Sequence, residues 1–103
     1  MIDRIERLKT FLKESPNDCF INHALALEYV KLQDDATAKT YFEKNYQFDP
    51  SYVATYYHLG KLLERLQQPA FALRIYEEGM QAAKKAGDQH SYNELQGAYD
   101  DLL

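Results

Sequence analysis

Apolar residues recur along this chain at spacings of three and four, the period of one helical face turned toward a core. From Asp3 to Glu14 they are Ile5, Leu8, Phe11 and Leu12, with Arg4, Arg7, Lys9 and Lys13 between them, which predicts an amphipathic helix. Ser15 precedes Pro16, and a residue before proline is pushed out of the helical region, so the helix stops there. Asn17 or Asp18 can cap the next helix, from about Cys19 to Leu32. Its apolar residues Phe20, Ala24, Leu25, Leu27, Tyr29, Val30 and Leu32 cover more than one face, so it is expected to pack on two sides. Gln33-Asp34-Asp35 ends it and caps a third helix, from Asp35 to Gln47, with Ala38, Tyr41, Phe42, Tyr46 and Phe48 as apolar face. Asp49-Pro50 closes that helix as Ser15-Pro16 closes the first.

Ser51 is placed to cap a fourth helix, from about Tyr52 to Leu66. Pro69 suits the first turn of a fifth, where its missing N–H has no bond to lose, and that helix runs to about Lys85 with Leu73, Ile75, Tyr76 and Met80 inward. Gly87 fits a helix C-terminus, and Asp88 caps a sixth helix whose inward face is Tyr92, Leu95, Tyr99 and Leu102. No segment alternates apolar and polar residues between turn dipeptides. The pattern predicts an all-α chain of six helices.

The chain also repeats itself. A shift of 34 positions lays Leu25 on Leu59, Ala26 on Gly60, Ala38 on Ala72, Phe42 on Tyr76 and Pro16 on Pro50. Where two helices cross closely, a small residue must face the partner. Gly60 with Ala72, and Ala26 with Ala38, are therefore the expected contact points, and Tyr76 and Phe42 fill the space beside them. In this order of residues the sequence resembles the tetratricopeptide repeat. The resemblance covers nearly the whole of a single domain, 1–103: 1–18 as a leading capping helix, 19–52 and 53–86 as repeats, and 87–103 as a C-terminal capping helix. It implies a short right-handed superhelix of antiparallel helix pairs. Asn22 stands where the family prefers a bulky aromatic, Gln33 and Gln67 replace its turn glycine, and Lys84 replaces a proline. The last helix fits best in the register Tyr92, Leu95, Gln96, Tyr99, which implies two extra residues around Ala86-Gly87-Asp88. A strict offset of 34 would bury Asn93 and Gly97.

In this family the first helix of each pair makes most of the inner surface. The resemblance thereby implies a partner-binding groove lined by Phe20, His23, Leu27 and Val30, then Ala54, Tyr57, His58, Lys61 and Arg65, then His90 and Asn93, with Gly97 and Asp100 beyond. The function it implies is non-catalytic binding of a peptide or helical segment of another protein. The family's carboxylate clamp, which grips chaperone tails, needs Lys and Asn where this chain has His23, Leu27 and His58, so that specificity is not expected. The alternative reading is an assembly protein acting by self-association. The polar outer faces of both end helices, with Arg4, Arg7, Lys9 and Lys13 on one and Asn93, Glu94, Gln96, Asp100 and Asp101 on the other, favour a monomer.

Composition narrows the partner class. The 103 residues carry a net charge of −4 and no basic stripe, which disfavours nucleic acid. The start, Met1 to Arg7, mixes charges with no long apolar run behind it, so neither a signal peptide nor a membrane span is expected. Cys19 is the single cysteine, which excludes an internal disulfide and points to the cytoplasm. His23, His58 and His90 lie on first-type helices, but no two share a local ligand spacing, so no metal is expected. Glu77-Glu78 and Asp100-Asp101 are neighbours that should point to different faces as solvated surface rather than converge as an acid/base pair. No phosphate loop, paired nucleophile and base, or cofactor motif is present, so no cofactor and no catalysis are expected.

Overall fold

The computed structural model describes residues 3–103; Met1 and Ile2, which fall in the leading segment 1–18, lie outside the described residues. The described residues form six helices and no strand: α1 (Arg4–Glu14), α2 (Cys19–Lys31), α3 (Asp35–Phe48), α4 (Ala54–Arg65), α5 (Pro69–Ala86) and α6 (Gln89–Leu102). None is long and apolar enough to cross a membrane. The chain divides into two compact units, Met1–Asp49 and Pro50–Leu103.

In the first unit an aspartate opens every helix. Asp3 accepts from the Glu6 N–H at 2.9 Å, Asp18 from Ile21 at 3.0 Å and Asp34 from Thr37 at 3.1 Å, each satisfying a first-turn donor the helix cannot. Leu8, Ala24 and Leu25 form a core against which Ile5, Leu12, Ile21, Tyr29 and Tyr41 pack. Ala26, Ala38 and Phe42 are fully buried. Burying a side chain such as Leu25 or Phe42 is worth about 1.5–3 kcal/mol, so a few such residues hold a three-helix unit together. The Tyr29 and Tyr41 rings stack at 5.7 Å, flanked by Lys9 over one and Lys44 over the other. Arg4 reaches Glu28 at 3.5 Å, tying α1 to α2 at the surface.

Four apolar positions depart from the expected packing. Phe11, Phe20, Leu32 and Phe48 are 60 %, 68 %, 64 % and 62 % exposed. On α3 the inward row is Ala38, Phe42 and Asn45, and Phe48 is exposed as the last residue of the helix. Leu32 falls in the turn after α2, and Phe20 sits two positions before the buried Asn22, on another side of the first turn.

In the second unit Ser51 is not the N-cap residue. Helix α4 starts at Ala54, with Val53 as N-cap and no side-chain cap. Instead the Thr55 N–H bonds the Tyr52 carbonyl at 3.3 Å and the Tyr56 N–H that of Val53 at 3.2 Å, so a backbone turn does the capping. The Tyr56 hydroxyl also donates to the Pro50 carbonyl, pinning the incoming link. Pro69 opens α5, and Gly87 ends it at φ 70°, with the Asp88 N–H on the Ala83 carbonyl at 2.9 Å. Asp88 caps α6, accepting from the Ser91 N–H at 3.0 Å.

The core of this unit is Tyr56, Leu59, Leu62, Leu63, Ala72, Ile75, Tyr76, Ala83, Leu95 and Ala98. Gly79 lies where α4, α5 and α6 meet, since a Cβ there would stand 2.5 Å from Tyr56 Cβ and 3.0 Å from Leu95 Cδ1. Leu73 and Met80, expected inward, are half-buried. On α6 the buried residues are Leu95 and Ala98; Tyr92, Tyr99 and Leu102, expected inward with Leu95, are half-buried, and Gln96 is exposed on the polar outer face. The small Ala98, not named among the inward residues from sequence, lets α6 lie close. Asn93 and Gly97 are exposed, as the rejection of a strict 34-residue offset requires.

Candidate partner-binding site

The site is built on α4, whose two faces do different work. Leu59, Gly60, Leu62 and Leu63 face the core, while Tyr57, His58 and Lys61 are half-buried and Ala54 and Arg65 exposed. Tyr76 of α5 fixes the core side. Its ring lies where a Cβ on Gly60 would be, and its hydroxyl donates to Glu64 Oε2. Burial, together with the Glu64 carboxylate that accepts the proton, drives the Tyr76 pKa far up, so this hydroxyl remains a donor.

On its other side α4 meets α6 across a cleft of about 130 Å³, lined by Val53, Ala54, Tyr57, His58, Ser91, Glu94 and Leu95. Val53, Ala54 and Leu95 give it an apolar floor; Tyr57, His58, Ser91 and Glu94 give it polar groups that donate and accept. Burial pushes the His58 pKa below its ordinary value, the Glu94 charge opposes this and Arg65 adds to it. The Tyr57 and His58 rings meet edge to face at 5.7 Å, and Lys61 Nζ stands 5.6 Å from the Tyr57 ring and 3.8 Å from Glu64. Such a cleft can receive a partner side chain, with shape set by Tyr57 and hydrogen bonding by His58, Ser91 and Glu94.

Of the other residues named from sequence, His90 and Asn93 are exposed on α6 outside this cleft. His90 Nε2 is 4.0 Å from Glu94, and Asn93 Oδ1 accepts from Gln89 at 2.8 Å. In the first unit, His23 is half-buried with its ring edge-on to Phe42 at 5.6 Å, Leu27 and Val30 are half-buried, and Phe20 is exposed. Sequence reasoning did not place Ser91 and Glu94 in the site. The repeat offset does not single out Ser91, because α6 departs from the 34-residue spacing; Glu94 follows Ser91 by three on the same helical face. Among the described residues no three or more His, Cys, Asp and Glu side chains are grouped to hold a metal ion.

Helix hairpins repeated in tandem, with small residues at the crossings, define a helical-repeat protein. No family model matches the chain. A tetratricopeptide repeat domain protein from Salinibacter ruber is 41 % identical; its crystal structure aligns with a TM-score of 0.80 over 82 % of this chain and 94 % of that one. The solution structure of a tetratricopeptide repeat domain protein from the same organism gives 0.81 over 84 % and 88 %. A Bordetella parapertussis protein solved in solution, 28 % identical, gives 0.83 over 99 % and 89 %. The human TPR and ankyrin repeat-containing protein 1 is 44 % identical over 43 residues, a match that spans 42 % of this chain and only 2 % of that protein. The chain belongs to the tetratricopeptide repeat family. Domains of this family serve generally in protein–protein interaction.

Proposed function

We propose that this chain is a non-catalytic interaction module that holds a peptide or helical segment of a partner protein on the first-helix surfaces of its repeats, residues 1–103 working as one module in the cytoplasm. The observation that carries the reading is the cleft between α4 and α6, where Ala54, Tyr57 and His58 from one first-type helix meet Ser91 and Glu94 from the next. Half-buried aromatic and apolar side chains supply contact area, and the polar groups set register. On the first-type helix of the first unit, α2, Phe20 is exposed and His23, Leu27 and Val30 are half-buried.

A peptide library selected on the folded protein, followed by amide-shift mapping of the selected sequence, tests the proposal. Shifts are expected at Tyr57, His58 and Ser91, and binding should be lost in Tyr57→Ala with its spectrum otherwise preserved. Selected peptides that map away from α4 and bind Tyr57→Ala equally would overturn it. Self-association is the second reading, favoured by the exposed rings of Phe11 and Phe48. Sedimentation velocity separates the two, since a stable dimer that breaks in Phe11→Ser or Phe48→Ser assigns those rings to an assembly contact.

A further inference from the structure

The cleft between α4 and α6 is graded from floor to rim. Its floor of Val53, Ala54 and Leu95 carries no charge and no side-chain hydrogen-bonding group. Leu95 is buried, Tyr57, His58 and Ser91 are half-buried, and Glu94 is exposed. A space of about 130 Å³ admits a single small side chain, since an apolar cavity of about 150 Å³ takes up benzene. His58 is the lining group whose charge changes near neutral pH. Several groups set that charge. Glu94 of α6 favours the protonated ring, while burial and Arg65 of its own helix disfavour it. His90 of α6 lies 4.0 Å from the Glu94 carboxylate, and Lys61, one turn from His58, stands 5.6 Å from the Tyr57 ring. From α5, the Tyr76 hydroxyl stays protonated on Glu64 and adds no charge.

We propose that this cleft receives one branched aliphatic side chain of the partner segment, leucine or isoleucine, and holds it only while His58 is neutral, so that mild acid releases the partner. The inference rests on the reading of the α4 and α6 cleft as the contact site and adds its occupant and its regulation. Charge complementarity selects the occupant: a lysine or aspartate side chain would bring its charge onto a floor that has nothing to pair with it. A branched four-carbon group fills the space and leaves the neighbouring backbone N–H groups to Ser91 and Glu94 at the mouth. Protonation of His58 changes the wall beside that group. The occupant then displaces the water that solvates the imidazolium, and Glu94 sits at the exposed rim, where solvent weakens its compensation. By linkage, an occupant that prefers the neutral ring must lower the His58 pKa by the same factor as acid lowers its affinity.

The test is a titration of the whole chain with the blocked peptide Gly-Gly-Leu-Gly-Gly, following amide and imidazole shifts at about pH 7.5 and about pH 5. Saturable shifts are expected at Tyr57, His58 and Ser91. The same peptide with alanine at its centre should bind at least about tenfold more weakly, and the lysine and aspartate versions no better than alanine. The leucine peptide should bind at least about threefold more weakly at the lower pH, and at saturation it should lower the midpoint of the His58 ring titration. In His58→Gln its affinity should be the same at both pH values. A lysine or aspartate peptide that binds more tightly than the leucine one overturns the occupant. Equal affinity of the native chain at both pH values, or a pH dependence that persists in His58→Gln, overturns the release. Library-selected peptides that map to α4 yet bind as well with every leucine and isoleucine changed to alanine would overturn this inference and leave the contact site standing.

Discussion

Gly60 and Tyr76 occupy one another's space: a Cβ added to Gly60 would fall within the Tyr76 ring, 2.6 Å from Cζ. The ring is held from two directions, by complete burial and by its hydroxyl bond to Glu64. It cannot retreat without breaking that bond or moving α5. Gly60→Ala is therefore expected to destabilise the second unit by about 1–3 kcal/mol, the usual cost of overpacking a filled site. Thermal unfolding should read this as a fall of about 4–8 °C for each kcal/mol. Tyr76→Phe should cost about 1 kcal/mol alone and should partly relieve Gly60→Ala, because the freed ring can shift. The first repeat already carries this arrangement, with Ala26 and Phe42 at the corresponding positions, both fully buried.

Gln33 and Gln67 both adopt left-handed backbone, at φ 61° and 60°, in the turns after α2 and α4. The Asp34 N–H bonds the Tyr29 carbonyl and the Gln68 N–H that of Leu63, each at 2.9 Å, the pattern that glycine favours at a helix end. A side chain there costs about 1–2 kcal/mol of strain, against which glycine loses some entropy on folding. Gln33→Gly and Gln67→Gly are each expected to stabilise the chain by about 0.5–1 kcal/mol, and additively because the sites lie in separate turns. Urea unfolding of both single variants and the double would show it; a destabilised single variant would refute the strain argument.

These two features mark how far the sequence can be read. The crossing of α4 and α5 was legible because small, aromatic and aliphatic residues recur together at one offset, and no solvated face would repeat them. The turn strain was half legible, since glutamine where the family has glycine signals the conformation only once the family is recognised. Ser51 misled as the N-cap because a capping residue and one in a preceding turn look alike in sequence, and α4 starts two residues later than expected. Phe11 and Phe48 misled because helical period assigns a phase but not the width of the neighbour that covers it. In the site, Ala54, Tyr57 and His58 followed from the phase of one helix. Ser91 and Glu94 needed the packing of α6 against α4, which the phase of a single helix does not give.

Asn22 and Asn45 are buried in the first unit at the positions that correspond, 34 residues later, to Tyr56 and Gly79. Asn22 Nδ2 donates to the Pro16 and Asp18 carbonyls, both at 3.2 Å, and Asn45 Nδ2 to the Cys19 carbonyl at 2.8 Å. These bonds tie the start of α2 to the link before it and to the end of α3. Neither Oδ1 has a protein partner, so both sites carry a desolvation cost that the donated bonds must offset. Asn22→Asp and Asn45→Asp, which replace the donor by a buried charge, should cost more than about 3 kcal/mol, and the alanine variants about 1–3 kcal/mol. Chemical unfolding of the four variants at neutral pH orders them. Aspartate variants as stable as the alanine ones would mean that these side chains reach water.

His58 gives the site a defined response to acid. Burial holds its folded-state pKa below the ordinary value of 6.5, with Arg65 acting the same way and Glu94 opposing. The unfolded chain therefore takes up a proton at His58 before the folded chain does, and stability rises with pH wherever the unfolded state binds more protons. The contribution is fully present above about 6.5, the unfolded value, and declines as pH falls below it toward the folded value. Urea midpoints measured between neutral and mildly acidic pH are expected to drop for the native sequence. They should drop less for His58→Gln, which keeps a polar side chain of similar reach without the titration. Glu94→Gln should steepen the native decline, because it removes the charge that now favours the protonated imidazole. If His58→Gln instead dropped more than the native sequence, the folded-state pKa would lie above 6.5, and the Glu94 carboxylate rather than burial would govern His58.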